Sequence, residues 1–134
     1  MILIDTGPLV ALIDVDDEYH ELCAIASASV TEPSITVWPA FAEAMYLLRR
    51  IHEGHDRLWH SFEKGAFTIA DLDREHCGRM RQLMRKYRDI PMDLADAALV
   101  AVAERERINR IFTIDRRGFN VYKPAGMKRF DIIP

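Results

Sequence analysis

Residues 1–8 read MILIDTGP. Residues 1–4 are an unbroken apolar run of strand length that stops at Asp5. A short run without polar alternation marks a strand covered on both faces, as in a parallel sheet. Thr6, Gly7 and Pro8 then read as a turn. Pro8 suits the first turn of a helix that continues through residues 9–13. Strand, acid, turn and helix in that order make up half of a parallel β–α–β unit.

The same grammar recurs along the chain. Asp16 or Asp17 can cap a helix that runs through His20 to about Ser29. Residues 34–37, SITV, form a second strand between Pro33 and Pro39. A helix over residues 40–53 follows, ended by Gly54, and another covers residues 56–64. Residues 66–70 are a third strand. Asp73 opens an amphipathic helix toward Tyr87, and Ile90-Pro91 breaks it. Residues 92–107, rich in Ala, Leu and Val, form a buried helix. Residues 110–114 make a fourth strand, again ending at an acid, Asp115, and residues 130–133 a fifth. Strands joined by helix-length connections predict an α/β fold. The expected architecture is three-layer α/β/α, with a central parallel sheet of four to five strands in a single domain over residues 1–134.

Bulk composition narrows the function. With 49% hydrophobic and 29% charged residues, the chain can bury a core and is not of the disordered class. Cys23 and Cys77 form no CxxC pair, so neither a zinc site nor a disulfide framework is expected, and both read as thiols in a reducing compartment. The N-terminus has no basic leader, and Asp5 and Asp14 interrupt its apolar stretch. A signal peptide and a membrane span are therefore not expected, and a cytoplasmic location is. The net charge of −3 means that any contact with nucleic acid needs a local basic patch or bound cations.

In open α/β sheets, ligands bind beyond the carboxyl ends of the strands. Asp5 and Asp115 both emerge at that edge. A carboxylate ending a buried strand is costly without compensation. Each aspartate alone could simply cap the next helix, but two such ends in one small domain favour chemistry. Glu43 lies in WPAFAEAMYLL, residues 38–48, on an apolar face that turns it inward or to the rim. Asp93 and Asp96 are three apart and share a helical face. Asp93 serves as a cap or first-turn acid. Asp96 sits deeper among alanines, where aspartate is disfavoured, and has the weakest structural explanation of all the acids. Thr6 and Thr113 flank the acids and either orient them or serve the turn and strand.

Acids converging at one edge raise one another's pKa unless a cation joins them. An all-oxygen set selects Mg²⁺ or Mn²⁺, which suits phosphodiester hydrolysis. Other classes lack their signatures. His52-Glu53-Gly54-His55 falls short of HExxH, and there is no Walker loop, GxSxG or GxGxxG.

Four segments carry a resemblance: residues 1–14, the helix with Glu43, PMDLADAALVAVAE (91–104) and IFTIDRRGF (111–119). Together, in this order and over essentially the whole chain, they resemble the PIN-domain family, particularly the VapC-type toxins of bacterial toxin–antitoxin pairs. The resemblance implies a helix-flanked parallel sheet and Mg²⁺- or Mn²⁺-dependent endoribonuclease activity on single-stranded or loop RNA. It places the catalytic acids on Asp5, Glu43, Asp96 and Asp115, with Asp5, Asp96 and Asp115 at the metal and Asp93 as a helper. Where many relatives carry a further acid, this chain has Gly118. The resemblance also implies a homodimer and a small cognate antitoxin whose C-terminal tail blocks the site.

RNA contact needs positive charge near the acids. Arg116 and Arg117 directly follow Asp115 and are the foremost candidates, ahead of Arg49 and Arg50. Arg79, Arg81, Arg85, Lys86 and Arg88 form a basic stripe that reads as a solvated helix face. Trp38 and Tyr46 can stack on bases, but core packing is the expectation for both. An aspartate-based phosphatase would begin with Asp-x-Asp, and Asp5-Thr6-Gly7 lacks the second acid. A PIN-like module that only binds RNA or protein would be marked by missing acids, and all four are present.

Overall fold

The computed structural model describes residues 1–134. Five short strands form its centre: β1 (Ile2–Ile4), β2 (Ser34–Val37), β3 (Thr68–Ala70), β4 (Arg110–Phe112) and β5 (Asp131–Ile133). They pair in the order β3-β2-β1-β4-β5, every neighbour parallel. Leu3 stands opposite Ile35 on one side and Ile111 on the other. The strand order reverses at β1, so a crevice opens between the carboxyl ends of β1 and β4.

Seven helices complete the chain: α1 (Thr6–Ile13), α2 (His20–Ser29), α3 (Trp38–Leu47), α4 (Gly54–Glu63), α5 (Arg74–Lys86), α6 (Leu94–Glu106) and the single turn α7 (Arg116–Phe119). Successive strand side chains point to opposite faces, and the core divides accordingly. Leu3, Ile35, Val37 and Ile111 join Leu83 of α5 and Leu99, Val100 and Val102 of α6 in one apolar cluster. Ile2, Ile4 and Phe112 join Leu9 and Val10 of α1, Phe41 of α3 and Leu58 of α4 in the other. Both faces of the sheet are covered, which gives the expected three layers.

Residues 95–103 of α6 are all buried, so this helix needs no polar stripe. Its alanines let the backbone approach the sheet. Leu99, Val100 and Val102 each contribute roughly 1.5–3 kcal/mol of burial. That packing fixes the N-terminus of α6, and with it Asp93 and Asp96, against the edge where β1 and β4 end.

Several local expectations change. Thr6, Gly7 and Pro8 are not a separate turn but the first turn of α1, capped by Asp5. Glycine is needed at position 7 for space: a Cβ there would lie 2.5 Å from Ile114 Cγ1, where α1 starts close against the end of β4. The helix expected over residues 40–53 stops at Leu47, and Gly54 opens α4 rather than ending α3. Arg49, Arg50, His52 and Glu53 are exposed, so no apolar stripe carries the helix onward. Neither Asp16 nor Asp17 caps α2; Asp17 instead accepts the Tyr19 N–H in a turn just before it. One turn, α7, is additional.

Candidate active site

Asp5 leaves β1 and caps α1. Its Oδ1 accepts the Thr6 N–H at 2.7 Å, and its Oδ2 accepts the Thr113 hydroxyl at 2.7 Å. The same Thr113 oxygen accepts the Asp115 N–H at 3.0 Å. Thr113, just beyond β4, thus links the acids that follow two neighbouring strands. Asp115 caps α7 through the Gly118 N–H at 3.1 Å. On the other side, the Thr6 hydroxyl lies 3.1 Å from Glu43 Oε2 and 3.2 Å from the Ala40 carbonyl. That contact brings Glu43 of α3 to the rim, where it remains exposed.

Asp93 and Asp96 form a reciprocal capping box at the start of α6. Asp93 Oδ1 accepts the Asp96 N–H at 2.9 Å, and Asp96 Oδ2 accepts the Asp93 N–H at 3.4 Å. The Tyr122 hydroxyl donates to the same Asp96 oxygen at 3.0 Å. Asp5, Asp93 and Asp115 are therefore helix caps as well as neighbours in one site. The helix dipoles favour their negative charge without neutralising it.

Burial and mutual repulsion govern the protonation of the inner pair. Asp5 is raised from an ordinary 3.8 to about 6, chiefly by burial; the Thr113 and Thr6 hydrogen bonds hold it down, and the charges of Asp115 and Asp93 add to the rise. Burial pushes Asp96 up to about 7, followed by the negative charges of Asp93 and Asp5. The Tyr122 phenol is raised by burial and by Asp96, so it stays a proton donor. Asp5 thus feels Asp115 and Asp93, and Asp96 feels Asp93 and Asp5.

This donor set is all oxygen, crowded and short of positive charge, which is the chemistry a hard divalent cation satisfies. The side chains are not drawn into a ready cage, however: no three His, Cys, Asp or Glu groups stand close enough together to hold an ion. Both Asp5 oxygens are instead engaged by Thr6 and Thr113.

The basic candidates divide. Arg116 donates to the Pro134 carbonyl. Arg117 is exposed and unpaired. Trp38 and Tyr46 do not pack in the core as expected; they are 48% and 62% exposed. Trp38 leans edge-on against Phe41, with ring centres 5.4 Å apart, and Tyr46 carries the Arg49 guanidinium 3.9 Å over its ring.

One residue escaped the sequence reading, and another has a role it did not show. Tyr122 is fully buried and holds Asp96, yet nothing in its short loop marks it. Gly118 is more than a missing acid. A Cβ there would stand 2.7 Å from Asp115 Oδ2 and 3.0 Å from the Tyr122 hydroxyl, so the close packing of this corner requires glycine.

A five-stranded parallel sheet with carboxylates gathered at its switch point defines a class, and the sequence agrees. The PIN domain profile matches residues 2–124, and the chain belongs to the PIN domain family. Among individual relatives, Ribonuclease VapC26 of Mycobacterium tuberculosis is 29% identical over 134 residues, covering 98% of this chain and 99% of that protein. The crystal structure of Mycobacterium tuberculosis VapC20, described as a sarcin–ricin loop cleaving toxin, shares the fold. Its TM-score is 0.81 over 93% of this chain and 98% of that one, at 16% identity.

Proposed function

We propose that this protein is an Mg²⁺- or Mn²⁺-dependent endoribonuclease and the toxin of a toxin–antitoxin pair, built as one domain. The observation that carries the reading is the pair of strand-end acids joined through Thr113, with Asp96 facing them. The end-to-end similarity to a ribonuclease supports it. Asp5, Asp96 and Asp115 would hold the ion. When bound, a divalent cation would polarise the scissile phosphate and favour ionisation of an attacking water.

The chain's own residues do the positioning. Thr6 and Thr113 fix both oxygens of Asp5. Tyr122 holds one oxygen of Asp96 and leaves the other free. Glu43, steadied by the Thr6 hydroxyl, is placed to take a proton from water at the rim. Asp93 sets the orientation of Asp96 through the capping box. Arg117 is free to meet phosphate. A cognate antitoxin and a second copy of the chain are the expected protein partners. No helix is long and apolar enough to cross a membrane.

The purified protein should cut mixed single-stranded RNA with Mn²⁺ and stop in EDTA. Absent cleavage, or cleavage that persists in EDTA, would overturn the reading. Tyr122→Phe should lower the rate about 5–10-fold, the equivalent of one lost hydrogen bond of about 1 kcal/mol. Without its donor, Asp96 keeps its proton to higher pH, so the acid limb of the pH–rate profile should move upward. A uniform loss with an unmoved limb would limit Tyr122 to packing.

A further inference from the structure

The acidic crevice does not explain how a chain of net charge −3 retains a polyanion. Half of the fourteen arginines are already engaged, Arg49 and Arg116 by the carbonyls of Tyr46 and Pro134. Arg79 pairs with Glu104, Arg105 with Glu106, and Arg110 with Glu32 and Asp131. Arg107 and Arg129 donate to the carbonyls of Gly126 and Asn120. Of the seven free ones, Arg81, Arg85 and Arg88 are the three that line one groove. All three are exposed, and none donates to a carboxylate or a carbonyl. Their spacing of four and three places them on one side of α5 and its C-terminal end.

An open groove of about 460 Å³ runs along that side. Met80, Met84 and Leu94 line it between the three arginines. A second cleft, of about 160 Å³, shares Met80 and Leu94 with it and extends to Trp38. Leu94 is 50% exposed and directly follows Asp93; Trp38 is 48% exposed and directly follows the last residue of β2. The combined channel therefore begins at the carboxyl edge that carries the acids and leads away over α5.

We propose that single-stranded RNA leaving the acidic site lies in this channel, its bases against Trp38 and Leu94 and its phosphates on Arg81, Arg85 and Arg88. The inference rests on the nuclease reading above. Flat apolar and aromatic groups flanked by free guanidinium groups are the elements of sequence-tolerant single-strand binding. The methionine thioethers adapt to bases of different shape. A second copy of the chain fits less well. A two-fold contact centred here would set one row of unpaired arginines against its own image.

The test is fluorescence anisotropy with a labelled uridine-rich oligonucleotide in EDTA, where no cleavage occurs, over a range of KCl. The R81Q/R85Q/R88Q variant should bind about tenfold more weakly or worse. Its log–log salt slope should fall by about 2, since each neutralised single-strand phosphate contributes about 0.7. Arg85→Glu should lose more than Arg85→Gln. Trp38→Ala should weaken binding about tenfold with the slope unchanged, because stacking releases no counterions. Thermal melts should match wild type. Unchanged affinity and slope in the triple variant would overturn the proposal. So would a triple variant that sediments as a smaller species with RNA affinity intact, which would make the face a self-association surface. Wild-type protein that binds with the predicted slope yet never cleaves would sink the nuclease reading and leave the channel standing. Cleavage by a protein whose binding ignores the arginines would do the reverse.

Discussion

Asp96→Asn is expected to cut metal-dependent RNA cleavage by on the order of 10³-fold while making the metal-free protein more stable at about pH 8. Asparagine matches aspartate in size and keeps an acceptor for the Tyr122 hydroxyl, but carries no charge. The native carboxyl is held up at about 7, first by burial and then by Asp93 and Asp5. At about pH 8 it is ionised against that resistance. A pKa displaced by one corresponds to about 1.4 kcal/mol. Solvent screening reduces the total here to about 2 kcal/mol, which in a domain of this size raises the melting temperature by several degrees. Thermal melts in EDTA beside cleavage assays in Mn²⁺ separate the two effects. A variant that cleaves normally would remove Asp96 from the chemistry. One that loses cleavage and also melts lower would make its role structural.

The second large effect is an unusual pH dependence. Asp5 and Asp96 both bind protons more tightly in the folded than in the unfolded chain. Their stabilising contribution is complete below the unfolded value near 3.8, and it is lost as pH rises through about 6 for Asp5 and about 7 for Asp96. The metal-free protein should therefore lose stability between about pH 5 and about pH 8. Salt-bridged acids such as Glu32 and Glu104 are shifted the other way and act at lower pH. Excess Mg²⁺ should reverse the trend, because the ion competes with protons for the same oxygens and stabilises most where they are ionised. Melting curves across this range, with EDTA and with Mg²⁺, give the comparison. Parallel profiles in the two buffers would mean that the ion does not bind these acids.

Strand ends were legible because an apolar run that stops at an acid is a one-dimensional signal. Asp5 was placed that way, and β2 was delimited to the residue, whereas β4 stops at Phe112 rather than running to residue 114, which leaves Asp115 on the connection to α7. Asp96 stood out because aspartate among alanines has no local justification. What could not be read depends on pairing across the chain. Thr113 shows its purpose only when β4 lies beside β1, which brings it to Asp5 across 108 positions. Tyr122 reaches Asp96 from a loop without periodicity. Trp38 and Tyr46 were assigned to the core by side-chain type, which does not report which way a helix is turned. The stripe at Arg81, Arg85 and Arg88 was visible as charge. Its adjacency to Leu94 and Trp38 was not, since it arises from the packing of α5 on α6.

The β1–β4 pairing has a consequence for synthesis. The first strand can pair with β2 early, but its second partner, β4, emerges more than 100 residues later. Until then Asp5 has no Thr113, Asp115 does not exist, and Tyr122 cannot hold Asp96. Loops this long close late, and non-local pairing is slow. On the proposed function, a ribosome-bound fragment or a chain cut short before Asp115 is expected not to cleave RNA, because the acids do not come together until β4 pairs with β1.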